Sequence, residues 1–241
     1  MKRNFLQLFM LLLAIAFIFN ACKKESVDQK PLPEEKPTIN YNQGLGNNPG
    51  YPVGLPYSLP SNIEIKGEIQ GGMPGRLVQI DKTSYTGPFP GFEQSRNWVT
   101  YGTGTYVNLY VKFFSPFANA TSFALPGGLI FCDTQDNDSV PLFQRGLLLQ
   151  TVTINIPAMD TAFVHLPCYC LNKTFPIPNF DVVYYIGPIT MNPQLNQLIS
   201  IMSTKQYPIG EESTLQGIIW HITDDGLNLT SAEIQYLNSL P

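Results

Sequence analysis

Two cysteines stand two positions apart in "LPCYCLN", residues 166–172, within a run that reads as the end of a β-strand. Side chains alternate along a strand, so Cys168 and Cys170 share one face. Bridging them to each other would strain the backbone, because strand neighbours two apart lie near the upper limit for a disulfide, about 7 Å between Cα atoms. The chain has four cysteines, the others being Cys22 and Cys132. Its two histidines, His165 and His221, have no carboxylate at metal-ligand spacing, so no zinc site is predicted. "DTQDNDS" (133–139) and "TDDGLN" (223–228) gather hard oxygen ligands, but neither fits the twelve-residue calcium loop with its closing glutamate. They read as a turn and a helix C-cap. Nucleophile elbow, phosphate loop and dinucleotide fingerprint are all missing from the sequence, and "TYGTGTY" (100–106) has glycines without the helix that must follow. The expectation is a chain without a cofactor and without enzymatic activity.

Cys22 sets the address. Lys2 and Arg3 precede an apolar run, Phe5 to Phe19, broken only by Gln7, which is the pattern of a secretory signal peptide over residues 1–21. The run is shorter than the roughly 20 residues needed to cross hydrocarbon. Phe19-Asn20-Ala21-Cys22 resembles a bacterial lipobox, which implies lipidation of Cys22 and membrane attachment through that lipid. The following "CKKES" resembles the surface-export signal of Bacteroidetes lipoproteins, which implies an outer-membrane location facing the exterior. Without the leader, Lys2 and Arg3 drop from the 14 basic residues to leave 12 against 18 acidic ones, a net charge of −6, so nucleic acid is not an expected partner. Three cysteines then remain, an odd number for an oxidising compartment, and Cys132 is placed to bridge to Cys168 or Cys170. The pair carried forward as a disulfide is Cys132 and Cys168.

These residues must be held by elements the pattern also predicts. Residues 22–57 are rich in Lys, Glu, Pro, Asn and Gly and read as an extended tether. From 58 to 241 the chain is long enough for one domain. "NIEIKGEI", "YVNLYVKFF", "GLLLQTVTINI" and "TAFVHL" alternate or run apolar between turn residues, which predicts an antiparallel β-sandwich. After Pro188 the apolar period lengthens, predicting helices over 193–204, 211–223 and 230–240 that pack on the strands: a mainly β, α+β domain. The first has Asn192 and Pro193 at its start, the last a Thr230-to-Glu233 capping box.

Residues 106–238 carry a second resemblance. "Tyr169-Cys170-Leu171-Asn172", Pro176, the strand "VVYYIG", a helix and "LQGIIWHITD" (215–224) are similar to the second half of the thioester domains of bacterial surface adhesins. The resemblance implies that Cys170 supplies the sulfur and Gln216 the acyl group of an internal thioester. A lysine on a host or surface protein then displaces the sulfur to leave an amide. It further implies apolar cover, for which Tyr169, Ile219 and Trp220 are the candidates, and proton transfer, for which His221 is.

The aromatic segments "SYTGPFPGFEQSRNW" and "VKFFSPF" offer binding surface or core. Asp138-Ser139-Val140 and Asp160-Thr161-Ala162 resemble a short O-glycosylation acceptor motif. The expectation that leads is a lipid-anchored, surface-displayed adhesion or binding module. A covalent adhesin using Cys170 and Gln216, and an accessory subunit of an outer-membrane complex, are its alternatives.

Overall fold

The computed structural model describes residues 39–72, 98–136, 141–206 and 210–241. The leader, Cys22, the first part of the tether, the aromatic residues 84–97 and the Asp138-Ser139-Val140 motif lie outside the described residues.

Eleven short strands are present among the described residues. They are β1 (Gly54–Leu55), β2 (Glu64–Ile65), β3 (Ile69–Gly72), β4 (Val99–Thr100), β5 (Val107–Phe114), β6 (Thr121–Leu125), β7 (Leu129–Asp133), β8 (Gly146–Leu147), β9 (Val152–Ile156), β10 (Thr161–Cys170) and β11 (Val183–Thr190). Alternation builds the two longest central ones. In β5, Val107, Leu109, Val111 and Phe113 point into the same core as Val164, Leu166, Cys168 and Cys170 of β10. The two strands pair antiparallel from Thr161↔Phe114 to Cys168↔Val107.

The expected sandwich is replaced by a ring. Strands β3, β11, β7, β8, β10 and β5 pair in that order, all antiparallel, and β5 returns to β3. The reason is strand length: β10, at 10 residues, outruns each neighbour and pairs β5 along most of its length and β8 at its end, so no free edge separates two sheets. "GLLLQTVTINI", read as one strand, divides between barrel strand β8 and β9, which pairs β6 in a separate ribbon. Phe123, Leu125, Val152, Ile154 and Ile156 of that ribbon join the core of the barrel.

Three helices lie on the outer face: α1 (Pro193–Met202), α2 (Glu212–Thr223) and α3 (Ser231–Ser239). The Asn192 side chain accepts the Gln194 and Leu195 N–H groups at the start of α1, and Thr230 and Glu233 complete a reciprocal capping box on α3. Leu198, Leu215, Ile219, Ile222 and Leu237 meet Ile130, Cys132, Leu147, Tyr169 and Leu171 in a second core. Neighbouring residues of β7 and β10 thus alternate between two interiors. No helix among the described residues is long and apolar enough to cross a membrane.

The compact unit begins at Asn40, not at Ser58. Residues 40–57, predicted as tether, form a strap in which Leu45 is buried, the Gly46 N–H donates to Leu171 O at 2.9 Å, and β1 pairs β11. Their glycines serve tight turns and close approach. Gly46 has φ +55°, and a Cβ there would lie 2.1 Å from Thr223 O.

Candidate functional site

Cys170 is the last residue of β10 and fully buried. The β5 ladder ends at Cys168↔Val107, so the next backbone groups facing that side, those of Cys170, need a partner from elsewhere. Gln216 provides it from α2. Its Oε1 accepts the Cys170 N–H at 2.8 Å and its Nε2 donates to Cys170 O at 2.8 Å, so the side-chain amide occupies the place of a missing strand. Gln216 is itself fully buried, and the two residues are 46 apart in sequence. Helix α2 presents it by turning its apolar stripe, Leu215, Ile218, Ile219 and Ile222, onto the outer core.

One turn further along α2, Trp220 packs against the inner core that holds Cys170. Its ring packs on Tyr106 at 5.1 Å between centroids, and the ammonium of the exposed Lys173 lies 5.3 Å over it. The indole Nε1 is buried with no hydrogen-bond partner among the described residues. On the other side of Cys170, its Sγ accepts the Asn172 N–H at 3.3 Å. Burial pushes the Cys170 thiol up to about 12, against the pull of the Trp220 indole and the Asn172 N–H, which both favour the anion. Asp224, at the end of α2, accepts from the Lys173 N–H at 3.0 Å and the Thr223 hydroxyl at 2.9 Å, and burial raises its carboxyl above the usual range.

Several sequence-derived roles move. Tyr169 and Ile219 belong to the outer core, whereas Cys170 faces the barrel interior, so cover over the sulfur comes from Trp220 and Tyr106. His221 Nδ1 pairs with Glu233 Oε1 of α3 at 2.9 Å, and no hydrogen bond joins it to Cys170 or Gln216. Cys132, Cys168 and Cys170 are all free thiols. The expected Cys132–Cys168 bridge is blocked by the alternation of the strands, which turns Cys132 to the outer core and Cys168 to the inner one. Cys168 sits instead against Gly146, where a Cβ would come within 3.0 Å of both its own Cβ and Val107 Cγ1.

His165 is held between Asn108 Oδ1 at 2.9 Å and Thr100 Oγ1 at 3.1 Å and stacks on Tyr110 at 4.8 Å, and burial lowers its pKa to about 4. No cluster of three metal-ligating side chains occurs among the described residues. The glycines of "TYGTGTY" serve packing: the Gly104 N–H donates to Pro167 O at 3.0 Å, and Thr103 Oγ1 is 3.1 Å from the Tyr169 hydroxyl. Trp98 sets its ring edge-on to Tyr110 and Phe163, Phe113 is buried in the barrel, and Phe117 is exposed. A groove of about 540 Å³ beside β11, lined by Tyr57, Leu59, Ile65 and Tyr184 among others, includes none of the site residues.

Sequence reasoning missed Arg145. Its guanidinium, fully buried, pairs with Asp136 and donates to the carbonyls of Gly44 and Gly50, which fastens the strap beside Leu171. A lone arginine flanking the apolar "GLLL" was the only trace. Asn172 was quoted only as part of a motif, yet it is fully buried and its Oδ1 accepts the Arg145 N–H at 2.7 Å.

No family model matches the chain, and no curated protein or solved structure matches it either.

Proposed function

We propose that this chain is an exported, lipid-anchored surface module that binds its partner covalently through an internal thioester between Cys170 Sγ and Gln216 Cδ. The observation that carries the reading is the contact itself: a glutamine amide and a cysteine, both fully buried, meet across two elements far apart in sequence. In forming the bond, sulfur attacks Cδ, the C–N bond breaks, and the amide nitrogen departs as ammonia with the thiol proton. A lysine amine of the partner later attacks the same carbon, the C–S bond breaks, and Cys170 leaves as a thiol. Each module acts once, which makes it an adhesin rather than an enzyme. The apolar surroundings of the sulfur support the reading, since a thioester persists only where water is kept from its carbonyl. Cys22, through its lipid, and the tether hold the domain to the outer membrane in this account.

The two hydrogen bonds of the Gln216 amide to the Cys170 backbone favour a second reading, in which the amide is a strand substitute and binding is non-covalent. Intact mass of the full Cys22→Ala chain in mild detergent separates the two. The covalent reading expects a mass about 17 Da below the sequence mass, and a gain of about 31 Da on methylamine treatment located at Gln216. A mass equal to the sequence mass, unchanged by methylamine, leaves the non-covalent module.

A further inference from the structure

Trp220 carries an unexplained donor. Its indole N–H is buried with no acceptor among the described residues, an arrangement that costs free energy unless an acceptor appears at some stage. The ring packs on Tyr106, lies under the Lys173 ammonium and rests against the inner core that includes Cys170, whose sulfur already accepts the Asn172 N–H at 3.3 Å. One N–H thus already bonds the sulfur, while the Trp220 N–H, near enough to favour the anion, closes no bond to the neutral thiol. A neutral thiol is a weak acceptor, and a thiolate is a strong one.

We propose that the Trp220 indole N–H and the Asn172 backbone N–H form a cradle for the anionic sulfur of Cys170, which stabilises it as the leaving group when an amine takes over the Gln216 acyl carbon. The inference rests on the thioester reading and deepens it. The lone pair of a neutral amine forms the N–C bond at Gln216 Cδ, the electrons of the C–S bond pass to Sγ, and the surplus proton of the former amine ends on the sulfur, giving amide and thiol. Negative charge is greatest on the sulfur as the C–S bond breaks, and at that moment the two donors gain their full strength in a site closed to water. The same donors assist the reverse assignment of charge, when the thiolate attacks the amide to make the bond. Trp220 thus has two separable duties: its ring excludes solvent, and its N–H meets charge.

Trp220→Phe keeps most of the ring and removes the donor, and Trp220→His returns an N–H on a smaller ring. Both are made in the full Cys22→Ala chain, with folding verified by circular dichroism, and the rate of methylamine incorporation at Gln216 is followed by mass across pH. After the reaction, the pH profile of iodoacetamide alkylation reports the ionisation of the released Cys170 thiol. The cradle predicts that Trp220→Phe slows incorporation by about ten- to a hundredfold, as expected for one lost hydrogen bond to an ion, and moves the alkylation profile to higher pH. Trp220→His recovers part of both. Equal rates in wild type and Trp220→Phe overturn the proposal, and so do equally slow Phe and His variants, which assign the effect to ring packing. If wild type takes up no methylamine and shows no mass deficit, the thioester reading itself fails and the cradle goes with it.

Discussion

Cys132 and Cys170 are both fully buried, and burial pushes both thiols up to about 12. Their surroundings differ in kind. Cys132 faces the outer core, close enough to the Arg145–Asp136 pair to feel both charges, in a region whose business is to fasten the strap. Cys170 faces the barrel interior at the point where a strand ladder runs out, with the Gln216 amide hydrogen-bonded to its backbone and the Asn172 N–H donating to its sulfur. Burial alone therefore does not mark a reactive thiol. What separates the two is the company of the Gln216 acyl carbon, since Cys132 too has a neighbour, the Tyr185 hydroxyl, that favours its anion.

The comparison breaks most sharply in labelling. Cys170→Ala and Gln216→Ala are each expected to abolish incorporation of a biotinylated amine, and Cys132→Ala to leave it at the wild-type level, read by streptavidin blot. Labelling that survives Cys170→Ala, or is lost with Cys132→Ala, assigns the chemistry to the wrong thiol.

Stability sharpens it next. Arg145→Met removes one partner of a buried ion pair and takes the guanidinium from Asp136 and from two strap carbonyls, an expected loss of about 3–5 kcal/mol in urea unfolding. Gln216→Ala, compared with its parent in a Cys170→Ala chain where the amide stays intact, strands only the backbone N–H and C=O of residue 170, for an expected loss of about 2 kcal/mol. If the two variants are equally stable, the strap is not fastened as described.

His165 tests a region that belongs to neither thiol. Its pKa is lowered from 6.5 to about 4 by burial, so between those values the unfolded chain holds a proton that the folded one refuses. Stability from this group is complete above about pH 6.5 and declines as pH falls toward 4. His165→Gln is expected to flatten the change in urea midpoint between pH 7 and pH 5, and an unaltered slope removes His165 as its source. The smallest effect is at the capping box, where Thr230→Ala is expected to cost about 1 kcal/mol by thermal melt without altering labelling.

The helices and most strands were legible because their signals are local. Apolar residues at helical spacing with Asn192, Pro193 and Thr230 at the ends mark α1 and α3, and alternation marks β5 and β10. Closure of the barrel was not, since it depends on β10 pairing β5 and β8 in succession, a relation between segments that no single segment carries. The strap was misjudged because glycine, asparagine and proline make tight turns as readily as they make linkers, and only contact with Arg145 and Leu171 distinguishes the two. Cys170 and Gln216 came from motif resemblance, and the structure adds that they touch. The disulfide expectation counted cysteines without knowing which interior each faced.

The most direct test of the central claim is a count of alkylatable thiols in the Cys22→Ala chain, unfolded in urea at neutral pH without reductant. The account predicts that two react at once, Cys132 and Cys168, and that a third appears only after hydroxylamine cleaves the acyl bond. Three thiols reacting before hydroxylamine would contradict it.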